Sequence, residues 1–194
     1  MTRRRYLSVT ALAVLGIAVA DYARILPRMP NLLGLPASTL RERVQAFADL
    51  LGVPFEAAAA AMRRNPPLFL VAIETIRRNI MGAADVLQLP AASLHPLYLR
   101  KPRLLNMPPT TVQRNIAELA ALFEMETDEV VGLLIRHPAL IGTSPKSMAW
   151  KFSVVRDIYR ALGFPSDKAS TFRTFPLAYT YAEERLQQRL LMAQ

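Results

Sequence analysis

Arginine stands two residues before a proline in four successive places, as Arg28, Arg64, Arg100 and Arg136, and those prolines, Pro30, Pro66, Pro102 and Pro138, are 36 residues apart. A fifth proline, Pro176, follows after 38 residues, and its cation shifts to Arg173. One guanidinium per period lays charges along a line. Such a line suits the phosphates of a nucleic-acid backbone and makes binding salt-dependent. The same cations have a second use, because a positive charge near a helix end favours the free carbonyls and the dipole there. The two uses overlap, and the residues alone do not choose between them.

A second basic set lies eleven to thirteen residues after each proline: Arg41 and Arg43, Arg77 and Arg78, Arg114, Lys151 and Arg189, with Asn79 and Asn115 in the same band. These residues are read either as further phosphate or groove contacts or as the solvated face of an amphipathic helix. Phe69, Tyr98, Tyr179 and Tyr181 are candidates for base stacking, but aromatics at an apolar step are expected in the core.

Catalytic chemistry finds little to work with. The two histidines, His95 and His137, have no partner at metal-ligand spacing, and His137 fills a repeat slot held elsewhere by Met29, Asn65, Lys101 and Phe175. Asp128-Glu129 and Glu183-Glu184 read as acids at helix starts, and the seven glycines form no phosphate-binding loop. The absence of cysteine removes disulfides, thiolate metal sites and a thiol nucleophile. The expectation is a protein that is not an enzyme, with no cofactor, no metal and no small-molecule substrate.

The elements that must position these cations follow from the same period. A chain of 194 residues with 52% apolar residues can bury a sizeable core, and its Leu- and Ala-rich, aromatic-poor composition leans towards helices. Its net charge of +9 points to an acidic partner. After each proline comes an apolar step, Leu32-Leu33, Leu68-Phe69, Leu104-Leu105, Leu140-Ile141 and Ala178-Tyr179. Apolar residues then recur ten and fourteen places after the proline, at Leu40 and Val44, Ile76 and Ile80, Val112 and Ile116, Met148 and Phe152, Leu186 and Leu190. That spacing of four marks one face of a helix, here named helix A.

Helix A ends at a recurring break, Gly52-Val53-Pro54, Gln88-Leu89-Pro90, Glu124-Met125-Glu126 and Gly163-Phe164-Pro165, and a second helix, B, runs to the next proline. The expected start signals are Thr39, Thr110 with Thr111, and Ser144 before Pro145 for helix A, and Thr127 and Ser166 for helix B. The fourth unit is three residues longer before Gly163 and one shorter after it. A unit of this size cannot bury its apolar stripe alone, so the expected fold is an all-α superhelical solenoid of about five stacked repeats over residues 22–194.

Residues 1–21 carry Arg3-Arg4-Arg5 and an apolar run, which resembles a leader peptide, yet Val14-Leu15-Gly16 stands 36 residues before Leu50-Leu51-Gly52. They are read as a partial first repeat, with a short targeting segment as the alternative.

The proline step, apolar pair, long helix, break and second helix are similar to the mitochondrial transcription termination factor (mTERF) pattern. The closest stretch runs from Arg136-His137-Pro138-Ala139-Leu140-Ile141 through Leu162-Gly163-Phe164-Pro165 to Phe175-Pro176. The resemblance implies two α-helices and a 3₁₀ turn per unit, a superhelical half-ring, and binding of double-stranded DNA or sometimes RNA along a basic groove. It further implies a role in transcription, its termination or other organelle gene expression, in a mitochondrion or chloroplast for a eukaryotic host and in the cytoplasm otherwise. The chain is expected to be a monomer. The alternative reading is a helical scaffold whose arginines face an acidic protein or peptide.

Overall fold

In the computed structural model the described residues are 30–181 together with 185, 186, 188 and 191. The partial repeat read at residues 1–21 therefore lies outside them, as do Arg28 and Arg189. The described chain repeats a 3₁₀ turn followed by two α-helices. The turns are η1 (Pro30–Gly34), η2 (Pro66–Phe69), η3 (Pro102–Asn106), η4 (Pro138–Gly142) and η5 (Pro176–Thr180). The helices A are α1 (Ala37–Leu51), α3 (Ile73–Leu87), α5 (Pro109–Phe123) and α7 (Pro145–Ala161). The helices B are α2 (Phe55–Arg64), α4 (Ala91–Arg100), α6 (Thr127–Arg136) and α8 (Lys168–Thr174). No strand occurs among the described residues.

The helices A stop where a residue turns left-handed. Gly52 has φ 64° and Gly163 φ 73°, while Gln88 and Glu124 take φ 53° without being glycine. At each break an amide further along closes a six-residue loop onto the helix: Val53 to the Ala48 carbonyl at 3.0 Å, Leu89 to Ala84 at 3.0 Å, Met125 to Ala120 at 3.0 Å and Phe164 to Tyr159 at 2.9 Å. These bonds satisfy carbonyls that the helix end leaves free. At Gly52 the chain bends by 107° into α2.

Helix starts depart from the expectation. Pro36, Pro54 and Pro90 occupy the N-cap positions of α1, α2 and α4 and offer no side-chain cap. Their rings fix φ near −60° and so set the extended entry that a hydroxyl cap would otherwise stabilise. Thr39, Thr110, Thr111 and Thr127 lie inside the first turns of α1, α5 and α6 instead of capping them, and at α6 the N-cap is Glu126. Ser144 does cap α7, accepting from the Ser147 amide at 3.2 Å. At α8 the cap is Asp167, not Ser166; its carboxylate accepts from the Ser170 amide at 2.9 Å, and the Ser170 hydroxyl together with that amide lowers its pKa.

By contacts the chain divides into two compact units, residues 1–108 and 109–194. In the first, α1 packs on α2 and α3, α3 on α4, and α2 on α4, so helices A lie beside helices A and helices B beside helices B. Turn η2 seals α1 and α2, and η3 seals α2, α3 and α4. Leu40, Val44, Phe47, Ile76, Ile80, Leu68 and Phe69 are buried at the period read from sequence. Each side chain of that size contributes about 1.5–3 kcal/mol by leaving water.

In the second unit α5 packs on α6, α7 and α8, and η5 lies against α7, α8 and η4. Its centre is aromatic: Phe123 stacks on Phe172 with ring centroids 4.1 Å apart, and Tyr179 meets Phe123 edge-on at 5.1 Å. The Tyr179 hydroxyl donates to Thr171 Oγ1 at 3.1 Å, and burial pushes its pKa up. The longer fourth unit has a visible cost. Tyr159 takes the buried place that Phe123 holds one period earlier, and the added residues leave Leu162 and Phe164 exposed beside Phe175 and Leu177, around an open apolar recess of about 290 Å³.

Candidate nucleic-acid interface

Arg64, Arg100 and Arg136, two places before their prolines, and Arg173, three before Pro176, all lie in the last turn of a helix B, and all are exposed. Arg64 Nη2 donates to the Leu99 carbonyl at the end of the neighbouring helix B. Its guanidinium is thereby held beside Arg100, one residue further on, whose Nε reaches its own Pro96 carbonyl at 3.4 Å. Both cations serve helix-end carbonyls, as the dipole reading has it, and each keeps donors free in water. In the second unit Arg173 grips Glu129, with Nη2 2.9 Å from Oε2 and Nε on Oε1.

The second basic set divides. Arg41 lies over the Phe55 ring at 5.7 Å, Arg77 pairs with Glu74 at 3.4 Å, Arg78 reaches Thr75 Oγ1 at 3.4 Å and Arg114 pairs with Glu118 at 3.7 Å. All four are exposed, and such pairs are loose enough to open to another anion.

Two members of that set turn inward instead. Lys151 is only 9% exposed, and its Nζ donates to the Tyr179 carbonyl at 2.8 Å. Arg43 is half-buried with Nη1 on the Phe69 carbonyl. Asn79, 8% exposed, donates to the Leu105 carbonyl at 2.8 Å. All three stand thirteen residues after a proline and bond the second apolar residue of the next step. Lys151 and Arg43 therefore leave the candidate surface and become joints between successive units. The signal for this was present: thirteen places after the proline is one residue before the buried stripe, and every residue there is a long or amide donor.

The aromatic candidates also resolve. Phe69, Tyr98 and Tyr179 are core residues, and desolvation pushes Tyr98 up to about 12, while Tyr181 is half-buried. His95, which sequence reasoning left without a role, bridges two units: Nδ1 lies 2.9 Å from the Leu51 carbonyl at the end of α1. Among the described residues no group of three or more His, Cys, Asp or Glu could hold a metal ion, and no single helix is long and apolar enough to cross a membrane.

The charge is unevenly shared. Residues 1–108 hold fourteen of the 24 Lys and Arg and six of the 15 acids, whereas residues 109–194 hold ten and nine. A helical repeat with a proline-led 3₁₀ turn, bearing exposed cations at equivalent helix ends, is matched by the family model mTERF over residues 2–190 of the chain. The chain belongs to the mTERF family. No curated protein and no solved structure matches it. The mTERF proteins are nucleic-acid-binding helical-repeat proteins of gene expression, and a nucleic-acid partner in general follows from membership.

Proposed function

We propose that this chain binds double-stranded DNA as a monomer and regulates transcription, in an organelle where the host has one. The observation that carries the reading is the Arg64 bond to Leu99, which brings one exposed guanidinium to the helix end that carries the next, period-related arginine, Arg100. Arg41, Arg77, Arg78, Arg114 and Arg136 are the further cations assigned to phosphate. A duplex is favoured over a single strand because the aromatics Phe69, Tyr98 and Tyr179 are buried in the core and so are not offered to bases for stacking.

The test is the affinity for duplex DNA, duplex RNA and single strands of equal length across a range of salt. Duplex DNA is expected to bind tightest, with log K falling linearly in log salt, and R64A/R100A to flatten the slope by about 1.8, at about 0.9 per phosphate contact. Unchanged slope in a folded double variant assigns the two arginines to the helix ends alone. Absence of nucleic-acid binding at low salt overturns the reading and leaves an acidic protein as partner.

A further inference from the structure

Within residues 109–194 one of the two helix-end arginines, Arg173, is engaged by a carboxylate. Glu129, in the first turn of α6, accepts from Nε and Nη2 of Arg173 on its two oxygens, and its own pKa is lowered first by that hydrogen bonding and further by the charges of Arg173 and Arg136. The position is exceptional within the repeat, because one and two periods earlier it holds Ser93 and Ala57. A second pair joins the same segments, Lys168 Nζ to Glu124 Oε1 at 2.6 Å, and again the corresponding earlier residues, Gln88 and Gly52, carry no charge. Acids thus enter the repeat pattern where the basic excess of residues 1–108 gives way to near neutrality.

A carboxylate offers a guanidinium the same two-oxygen geometry as a phosphate. Phosphate arriving at Arg173 must displace a tethered anion and approach the negative charge of Glu129. We propose that Glu129 is a built-in competitor for nucleic-acid phosphate, which keeps Arg173 from adding a phosphate contact within residues 109–194. This rests on the duplex binding proposed above. It makes Glu129 a determinant of how many phosphates residues 109–194 can hold, and Arg173 a cation held in reserve.

The experiment compares the full chain with E129Q, R173Q, E129Q/R173Q and the charge control D128N, by duplex DNA affinity across salt, with helicity recorded for each. E129Q is expected to bind about five- to tenfold tighter near 100 mM salt and to steepen the slope by about 0.9, one added phosphate contact. R173Q alone stays within twofold of the parent, and the double variant loses the gain. A gain that persists in E129Q/R173Q, an equal gain from D128N, or no gain from E129Q overturns the inference. If E129Q fails to fold, A57E places a carboxylate at the equivalent position of α2, near Arg100, and is expected to weaken binding and flatten the slope by about 0.9; an unchanged slope counts against the proposal. A parent chain that binds no duplex at low salt fails the underlying reading instead, so the two failures are separable.

Discussion

Asn79 and Leu105, 26 residues apart, are joined by a buried hydrogen bond of 2.8 Å from the amide of one repeat to the 3₁₀ turn of the next. Arg43 with Phe69 and Lys151 with Tyr179 repeat the arrangement with different side chains. Among the described residues Asn115, at the same place, makes no such bond. The common feature is a donor long enough to reach a carbonyl that the 3₁₀ turn leaves free.

Removing that donor at a buried site costs more than one average hydrogen bond. Asn79→Ala leaves the Leu105 carbonyl unsatisfied and is expected to destabilise by about 1–3 kcal/mol. Denaturant unfolding measures it; a change under about 0.5 kcal/mol would show that water replaces the amide.

Lys151 separates structure from binding. Lys151→Met keeps the apolar stem and strips the ammonium from the Tyr179 carbonyl, so the melting temperature is expected to fall while the salt slope of nucleic-acid binding stays at the parent value. A flatter slope would return Lys151 to the interface.

Gln88 holds a left-handed conformation at φ 53° with a side chain that disfavours it. Gln88→Gly is expected to stabilise by about 0.5–1 kcal/mol, since relief of the steric penalty exceeds the added freedom of the unfolded chain. Gly52→Ala, at φ 64°, is expected to do the opposite. Melting curves of the two variants check both signs.

The acid limb of stability should report on α8. Glu129 and Asp167 both have folded pKa values below their ordinary ones, the first through Arg173 and the second through Ser170. A depressed carboxylate pKa contributes stability that is present above the unfolded value and lost as pH falls through the folded one. Melting temperature is therefore expected to drop as pH falls below the ordinary carboxylate range, about 4, and E129Q to remove part of that drop. An identical acid limb in the parent and E129Q would show the pair to be without effect on folding.

Much of the architecture is legible in the residues because one rule sets it. The prolines fix where each unit starts, the apolar pairs at Leu68-Phe69 and Leu104-Leu105 fill the turn, and the stripe from Leu40 to Leu51 has only one way to be covered. Capping is less legible: at α1 the ring constraint of Pro36 does what a Thr39 hydrogen bond is expected to do, and at α6 the N-cap is Glu126, one residue before Thr127, with no side-chain bond. The candidate site was half legible. Periodicity brings Arg64 and Arg100 to equivalent helix ends, but whether a cation at the flank of the stripe faces water or the next unit depends on a carbonyl from another repeat, which is why Lys151 and Arg43 were read as surface. Glu129 and Arg173 are 44 residues apart and off the common period, so nothing local ties them.

The joints thirteen residues after the prolines also govern how such a gene can change in length. Loss or duplication of a whole 36-residue block keeps the donor-to-carbonyl spacing of Arg43 and Asn79, whereas an indel of another size between donor and turn moves the acceptor away. The fourth unit shows the tolerated exception. Its net two added residues fall between Lys151 and Tyr179, widening that separation from 26 to 28, yet the bond survives because the surplus is expelled at the helix end around Leu162. Changes in length are thus expected at the break between helices A and B, where a surplus can be expelled, and not elsewhere between a thirteenth residue and the turn that receives its bond.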